Sequence, residues 1–314
     1  MKYLDPKADL TFKKVFGEHH DLVISFLNAM LPFESEDEEI RTVEYLSPEM
    51  VPVNPLRKDS VVDVRCRDGR GRQFLVEMQM MWTSEYKQRV LFNASKAYVS
   101  QLGRSENFEL LQPVYSLNMV NDTFSDSKDY YHDYRIVAVA ETDEVIEGLR
   151  FIFVELPKFT PKSYSDKKMQ VLWLRYLTEI DEKTRQVPEE LMETPEINKA
   201  LCELEESAFS EDELMMYDRF WDIVRTSRMF IDGAAKEGER RGLRIGERRG
   251  FEKGMKAGMK AGMKEGMEKG MEKGMEEGIR KGYMEVARRM KERGVPVETV
   301  AGVTGLSVEE INRL

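Results

Sequence analysis

In the stretch RKDSVVDVRCRDGRGRQFLVEMQM, residues 57–80, the acids Asp63 and Glu77 and the amide Gln79 fall where a strand would be expected to bury hydrophobes. At its centre, RDGRG supplies Asp68, Gly69 and Gly71, residue types that tolerate the backbone of a tight turn. A hairpin centred on Arg70 places Asp63 opposite Glu77. Alternation then puts Asp63, Arg65, Leu75, Glu77 and Gln79 on one face, and Val62, Val64, Cys66, Val76, Met78 and Met80 on the other. Directly opposed carboxylates repel, so a positive charge is expected between them. Arg65 or Lys58 can supply it, but a hard divalent cation is the stronger match, because Mg²⁺ takes one or two carboxylates together with waters and a phosphate. Such an ion acidifies a water and stabilises charge on a phosphodiester oxygen, and Gln79 would orient that water or contact the phosphate. The same spacing also fits the polar, solvent-facing side of an ordinary antiparallel hairpin, and the residues alone leave both readings open.

The elements around the hairpin suggest how it is held. Residues 9–31 carry apolar positions at helical spacing, stopped by Pro32. IRTVEYLS alternates like a strand, and Pro48, Pro52 and Pro55 mark a loop. A helix is expected from about Ser84 to Leu102, ended by Gly103. PVYSLNMV, YRIVAVAE and LRFIFVELPKF follow as strands. This order implies an α/β sheet with helices on its faces. Residues 167–232 look helical throughout, with Trp173, Tyr176, Phe220 and Trp221 among the packing stripes.

Composition narrows the chemistry. The 314 residues, 41% of them hydrophobic, allow one good core plus appendages, or two domains. Two cysteines, Cys66 and Cys202, suggest neither a disulfide framework nor a metal cluster, and point to a reducing cytosol. No run has the apolar length of a membrane span, and the N-terminal segment lacks a signal-peptide core, so a cytoplasmic protein without a membrane partner is expected. With three histidines, two of them adjacent, any chemistry must rest on carboxylates. The net charge of -10 is unevenly spread, because residues 236–293 are basic and the body before them is strongly acidic. An acidic body repels phosphates, so a nucleic-acid partner would need a metal ion or the basic segment to hold it.

From Gly238 to Gly282 a glycine stands at every fourth position, with Met at 255, 259, 263, 267, 271 and 275. Each helical glycine costs about 1 kcal/mol relative to alanine, so a helix here would not be stable alone. Small residues would let helices approach closely in a homo-oligomer; a frayed tether is the alternative. The end of the chain suggests two short helices joined at Gly305, with Ser307 and Glu310 as a capping box. It looks like the first half of a helix-turn-helix, though a small helical cap or oligomerisation element suits its length better.

Taken together, VVDV at 61–64 and VEMQ at 76–79, with DLTFKKVFG (9–17), YKQRVLFNASKAYVSQL (86–102), ELPKF (155–159), the glycine repeat and the TGLSVEEI end, resemble the recombination-promoting nucleases, the PD-(D/E)XK putative transposases. The resemblance implies a restriction-endonuclease-like mixed sheet flanked by helices and a metal-dependent DNA endonuclease using Mg²⁺ or Mn²⁺. Asp63 and Glu77 would be its metal ligands, with Gln79 in the place of the usual catalytic lysine. A neutral amide orients water but is no cationic acid, so Lys58 or Lys13 would have to substitute. Asp9 would serve as a further acid or only as a helix N-terminal carboxylate. Arg89 and Tyr98 would meet a phosphate, or face solvent and pack. The expected organisation is a nuclease-like core at 1–160, a helical extension at 161–235, the repeat at 236–282 and a small helical element at 283–314. The competing expectation is a weak or inactive nuclease-fold protein that acts as an assembly or regulatory module.

Overall fold

The computed structural model describes residues 2–50, 60–103, 106–161 and 168–314. The chain divides into two compact units, Met1–Phe230 and Ile231–Leu314.

In the first unit the RDGRG turn sets the geometry of the hairpin. Strands β4 (Val64–Asp68) and β5 (Gln73–Gln79) pair antiparallel with Val64 opposite Val76 and Cys66 opposite Phe74, the register expected for a turn centred on Arg70. Asp68 stabilises the turn by accepting the N–H groups of Arg70 at 3.0 Å and Arg72 at 2.9 Å, and the Arg72 Nε–H at 2.8 Å. Gly71 has φ 88°, and a Cβ there would lie 3.1 Å from Gln112 Cγ, so both conformation and space favour glycine.

Four further strands complete a mixed sheet: β1 (Val43–Tyr45), β6 (Val114–Val120), β7 (Tyr131–Val137) and β8 (Val145–Glu155). The order is β1-β4-β5-β6-β8-β7, with β5, β6 and β8 mutually parallel and the remaining pairs antiparallel. A separate two-stranded ribbon joins β2 (Glu49–Met50) to β3 (Ser60–Val61).

Helices cover both faces of the sheet. Helices α1 (Asp9–Glu18), α2 (His20–Met30) and α4 (Lys168–Glu179) bury Phe12, Phe16, Phe26 and Trp173 against Val64, Cys66, Phe74, Val76, Leu117 and Ile152. Helix α3 (Tyr86–Val99) lies on the opposite face, with Ala94 and Ala97 on Leu75 and Val114, and Val90 beside Val120 and Phe153. Each fully buried side chain of this size contributes on the order of 2 kcal/mol, so the site elements are held between two apolar layers.

Two stretches differ from the sequence expectation. The helix anticipated over 9–31 breaks at His19, which is extended at φ -116°, ψ 102°, and thereby lets α1 and α2 each turn an aromatic face into one core. The region expected to be helical throughout from 167 onward is interrupted after α4: α5 (Glu189–Glu193) follows Pro188, and α6 (Pro195–Cys202) starts with Pro195. Proline lacks the amide hydrogen needed inside a helix and is tolerated at its first position.

Helix α7 (Glu211–Glu292) runs through the boundary between the units and includes all twelve repeat glycines. A Cβ built at any of those twelve meets nothing within 4 Å. Pairs one turn apart, such as Arg248–Glu252 at 3.0 Å and Lys269–Glu265 at 2.6 Å, give this stretch modest support. In the second unit α8 (Val297–Thr304) and α9 (Val308–Arg313) close over Ala287, burying Val300, Leu306 and Ile311. The capping box of Ser307 and Glu310 is formed, and Gly305 takes the left-handed conformation at φ 67°.

Candidate active site

Because β4 and β5 keep the expected register, Asp63 arrives one residue before the ladder, beside Glu77 on the neighbouring strand. It does not continue the ladder. The backbone bends at Asp63, and its Oδ2 accepts the Met78 N–H at 2.7 Å, taking the place a strand carbonyl would occupy. The bend also carries Val62 to the α3 side, where it packs with Leu75 and Ala94, contrary to the alternation expected for it.

The face carrying Glu77 is not a solvent face. Helix α3 covers it, and Glu77 is 5% exposed. Its Oε1 accepts the Asn93 Nδ2–H at 2.9 Å, while Asn93 Oδ1 accepts the Ser60 hydroxyl at 2.7 Å. Its Oε2 accepts from Arg89 at 3.3 Å. The same Arg89 nitrogen donates to Gln79 Oε1 at 2.5 Å, and Gln79 Nε2 donates to the Met81 carbonyl at 2.6 Å, so the amide oxygen is turned toward the carboxylate side. Next to Glu77 in the parallel register is the buried Asn118, whose Oδ1 accepts the Tyr86 hydroxyl at 3.1 Å.

Burial dominates the electrostatics. It pushes the Asp63 carboxyl up to about 7, helped by the nearby Glu77 and Asp9 charges and opposed by the Met78 N–H and Lys13. Burial also raises the Glu77 carboxyl, against the pull of Arg89 and Asn93. Two neighbouring carboxyls whose charged forms burial disfavours make a pair that a hard cation would satisfy.

The structure brings most of the sequence-nominated residues together. Lys13 lies 4.0 Å from Asp63 and 2.7 Å from Asp9, so α1 delivers one acid and one base to the rim of the pair. Arg89 is at the centre of the site. Tyr98 is not: nine residues further along α3, about 13 Å along the axis, it packs on the backbone of Gly148, where a Cβ would meet its hydroxyl at 3.1 Å. Lys58 lies outside the described residues. Among the described residues no set of three or more His, Cys, Asp or Glu side chains gathers at one point; what Asp63, Glu77 and Gln79 could offer an ion is two carboxylates and an amide oxygen. Hard oxygen donors of this kind suit Mg²⁺ or Mn²⁺.

Residues 6–234 match the sequence profile of the PD-(D/E)XK nuclease family transposases. The chain belongs to that family. No curated protein and no solved structure matches it. As a PD-(D/E)XK nuclease family transposase, the chain has a nuclease-like domain on a mixed sheet flanked by helices, as the resemblance implied. Among the described residues no helix is long and apolar enough to cross a membrane.

Sequence reasoning missed Asn93 and Ser60. Asn93 stands inside YKQRVLFNASKAYVSQL as a polar residue among the apolar positions of α3, but nothing in the pattern said which strand it would meet or that Ser60 would join it. It also missed the use of ELPKF. Glu155 in that motif is fully buried; its Oε1 bonds His132 Nε2 at 2.7 Å and Lys158 Nζ at 2.8 Å, and its Oε2 accepts the Phe124 N–H at 2.9 Å. Lys158 also donates to the Ser125 carbonyl at 2.6 Å and the Ser127 carbonyl at 2.7 Å. Burial pushes the Glu155 carboxyl up, but Lys158, the Phe124 N–H and His132 outweigh it and hold the group below the usual carboxylate range. The motif thus fastens the 124–131 segment to the end of β8.

Proposed function

We propose that this chain is a Mg²⁺- or Mn²⁺-dependent DNA endonuclease that hydrolyses phosphodiester bonds and promotes recombination in the cytoplasm. The observation that carries the reading is the carboxyl pair on the hairpin: Asp63 bonded to the strand of Glu77, and Glu77 buried under α3. Asp63 and Glu77 would hold the ion, which when bound supplies an acidified water and stabilises charge on the phosphate. The protein's own groups orient and bind. The Gln79 oxygen, turned to the carboxylate side by the bond from its amide nitrogen to Met81 and held there by Arg89, would be released with Arg89 to contact the ion or the water it activates. Lys13, 4.0 Å from Asp63, would supply the cation that Gln79 cannot, to meet a phosphate oxygen or protonate a leaving group. Asp9 holds Lys13 and adds negative charge to the pair.

The test is nicking of supercoiled plasmid by the purified chain with Mg²⁺ or Mn²⁺. The parent should cut, and Asp63→Asn and Glu77→Gln should be reduced by at least about a hundredfold. A parent that never cuts, or variants that cut as well as it does, would remove the reading.

A second reading is favoured by Gln79 itself. An amide in place of a lysine weakens turnover, and a chain of this kind would act as a regulatory or assembly module through its C-terminal helices. In either case we assign residues 1–160 to the nuclease-like core, 161–235 to a helical extension, 236–282 to a repeat helix that joins copies of the chain, and 283–314 to a terminal cap. Removing 238–314 should abolish the biological effect under the second reading, whereas Asp63→Asn should abolish it under the first.

A further inference from the structure

Glu77 is held unequally at its two oxygens. Residues 86, 89 and 93 form one stripe of α3, at the spacing that places side chains above one another on a helix. Asn93, at the inner end, is 3% exposed and uses both ends of its amide, one for Glu77 Oε1 and one for Ser60. It has nowhere else to go without stranding buried polar groups. Arg89 differs in every respect. Its side chain is 49% exposed, its bond to Glu77 Oε2 is long at 3.3 Å, and it offers a single nitrogen instead of the two-pronged grip a guanidinium can make. That nitrogen is shared with Gln79 Oε1, so a positive group already sits where an ion bound by these two oxygens would sit. The guanidinium also lies 4.7 Å from the centre of the Tyr86 ring, a flat surface beside the carboxylate that its plane can rest on.

Resting on the metal-dependent reading above, we propose that Arg89 is the resident counter-cation of Glu77, and that a divalent ion enters by displacing it from Oε2 while Asn93 keeps Oε1. A carboxylate oxygen held by Arg89 is not available to the ion, so the apparent affinity is reduced by the fraction of time that oxygen is free. An Arg89 seated about 90% of the time weakens ion binding about tenfold. The acid would then bind through one oxygen, with its orientation set in advance by Asn93.

The experiment is calorimetric titration of Mn²⁺ into the full chain, for the parent, Arg89→Met and Arg89→Gln. The Met variant removes charge at nearly constant length, and the Gln variant keeps a neutral donor in case Glu77 needs one to fold. Both variants should bind Mn²⁺ about tenfold more tightly than the parent, despite having lost only a residue that touches the site. Equal or weaker binding in both variants, with the parent binding normally, overturns the displacement and leaves the metal site in place. Absence of binding in all three removes the metal-dependent reading, and the displacement with it.

Discussion

The Asp63 carboxylate accepts the Met78 N–H at 2.7 Å, so the first acid of the site is bonded to the strand that carries the second. Asp63 therefore has two roles: it stands in for a ladder carbonyl, and it brings a charge beside Glu77. These roles can be separated by substitution.

Asparagine at position 63 can still accept that N–H, whereas alanine leaves it without a partner. Asp63→Ala should be less stable than Asp63→Asn by about 1–3 kcal/mol in urea unfolding. Both should lose plasmid nicking. Equal stabilities would mean that the Met78 bond contributes nothing to the fold.

The pH dependence has a definite sign. The Asp63 carboxyl is raised to about 7, and the Glu77 carboxyl is raised too, so the folded chain holds these protons more tightly than the unfolded chain does. Their contribution to stability is complete below the ordinary carboxylate pKa of about 4 and is lost as pH rises through the folded value. With a chelator present, Tm should fall between pH 5.5 and pH 8; Asp63→Asn should flatten that slope, and Mn²⁺ should raise Tm most at the higher pH. A Tm that climbs across this window in chelator would contradict the burial argument.

Lys158→Met removes the main cation on a carboxylate that has no exposed surface. Stranding one partner of a buried pair costs about 3–5 kcal/mol, so this variant should unfold at markedly lower urea, while Glu155→Gln, which removes the charge itself, should be milder. A loss below about 1 kcal/mol for Lys158→Met would mean that His132 and the Phe124 N–H suffice.

In the repeat, Gly254, Gly258 and Gly262 face open space. Replacing all three with alanine should raise far-ultraviolet helicity, at about 1 kcal/mol per site, if the helix stands alone. If copies of the chain pack along the glycine stripe, the added methyl groups should instead dissociate them, which sedimentation velocity would register as a smaller species.

The parts of this structure legible in the sequence are those fixed by local chemistry. RDGRG specified a turn and hence the register of β4 with β5, and Ser307 with Glu310 specified the start of α9. What was hidden depends on partners distant in the chain or on a break the pattern does not mark. Helical periodicity continues through His19, so the break between α1 and α2 left no trace in it. The solvent-facing reading of Glu77 stayed open because strand alternation reports which residues share a face, not what covers that face, and the cover is Asn93 and Arg89 of α3. Tyr98 shares a helix with Arg89, yet ends against Gly148, because proximity in sequence along α3 becomes distance along its axis.

The groups that hydrogen-bond Glu77 and Asp63 come from one short run of chain, Ser60 to Asn93, in which a hairpin is followed directly by the helix that folds back on it. Closing short loops forfeits little chain entropy, and contacts of short sequence separation form quickly. The alignment of Asp63, Glu77 and Asn93 is therefore expected to be an early event in folding, with β8 and α4, far along the chain, completing the core afterwards. Because these bonds are local, substitutions in β8 or α4 are expected to alter how firmly the domain holds together more than they alter the spacing of the two acids.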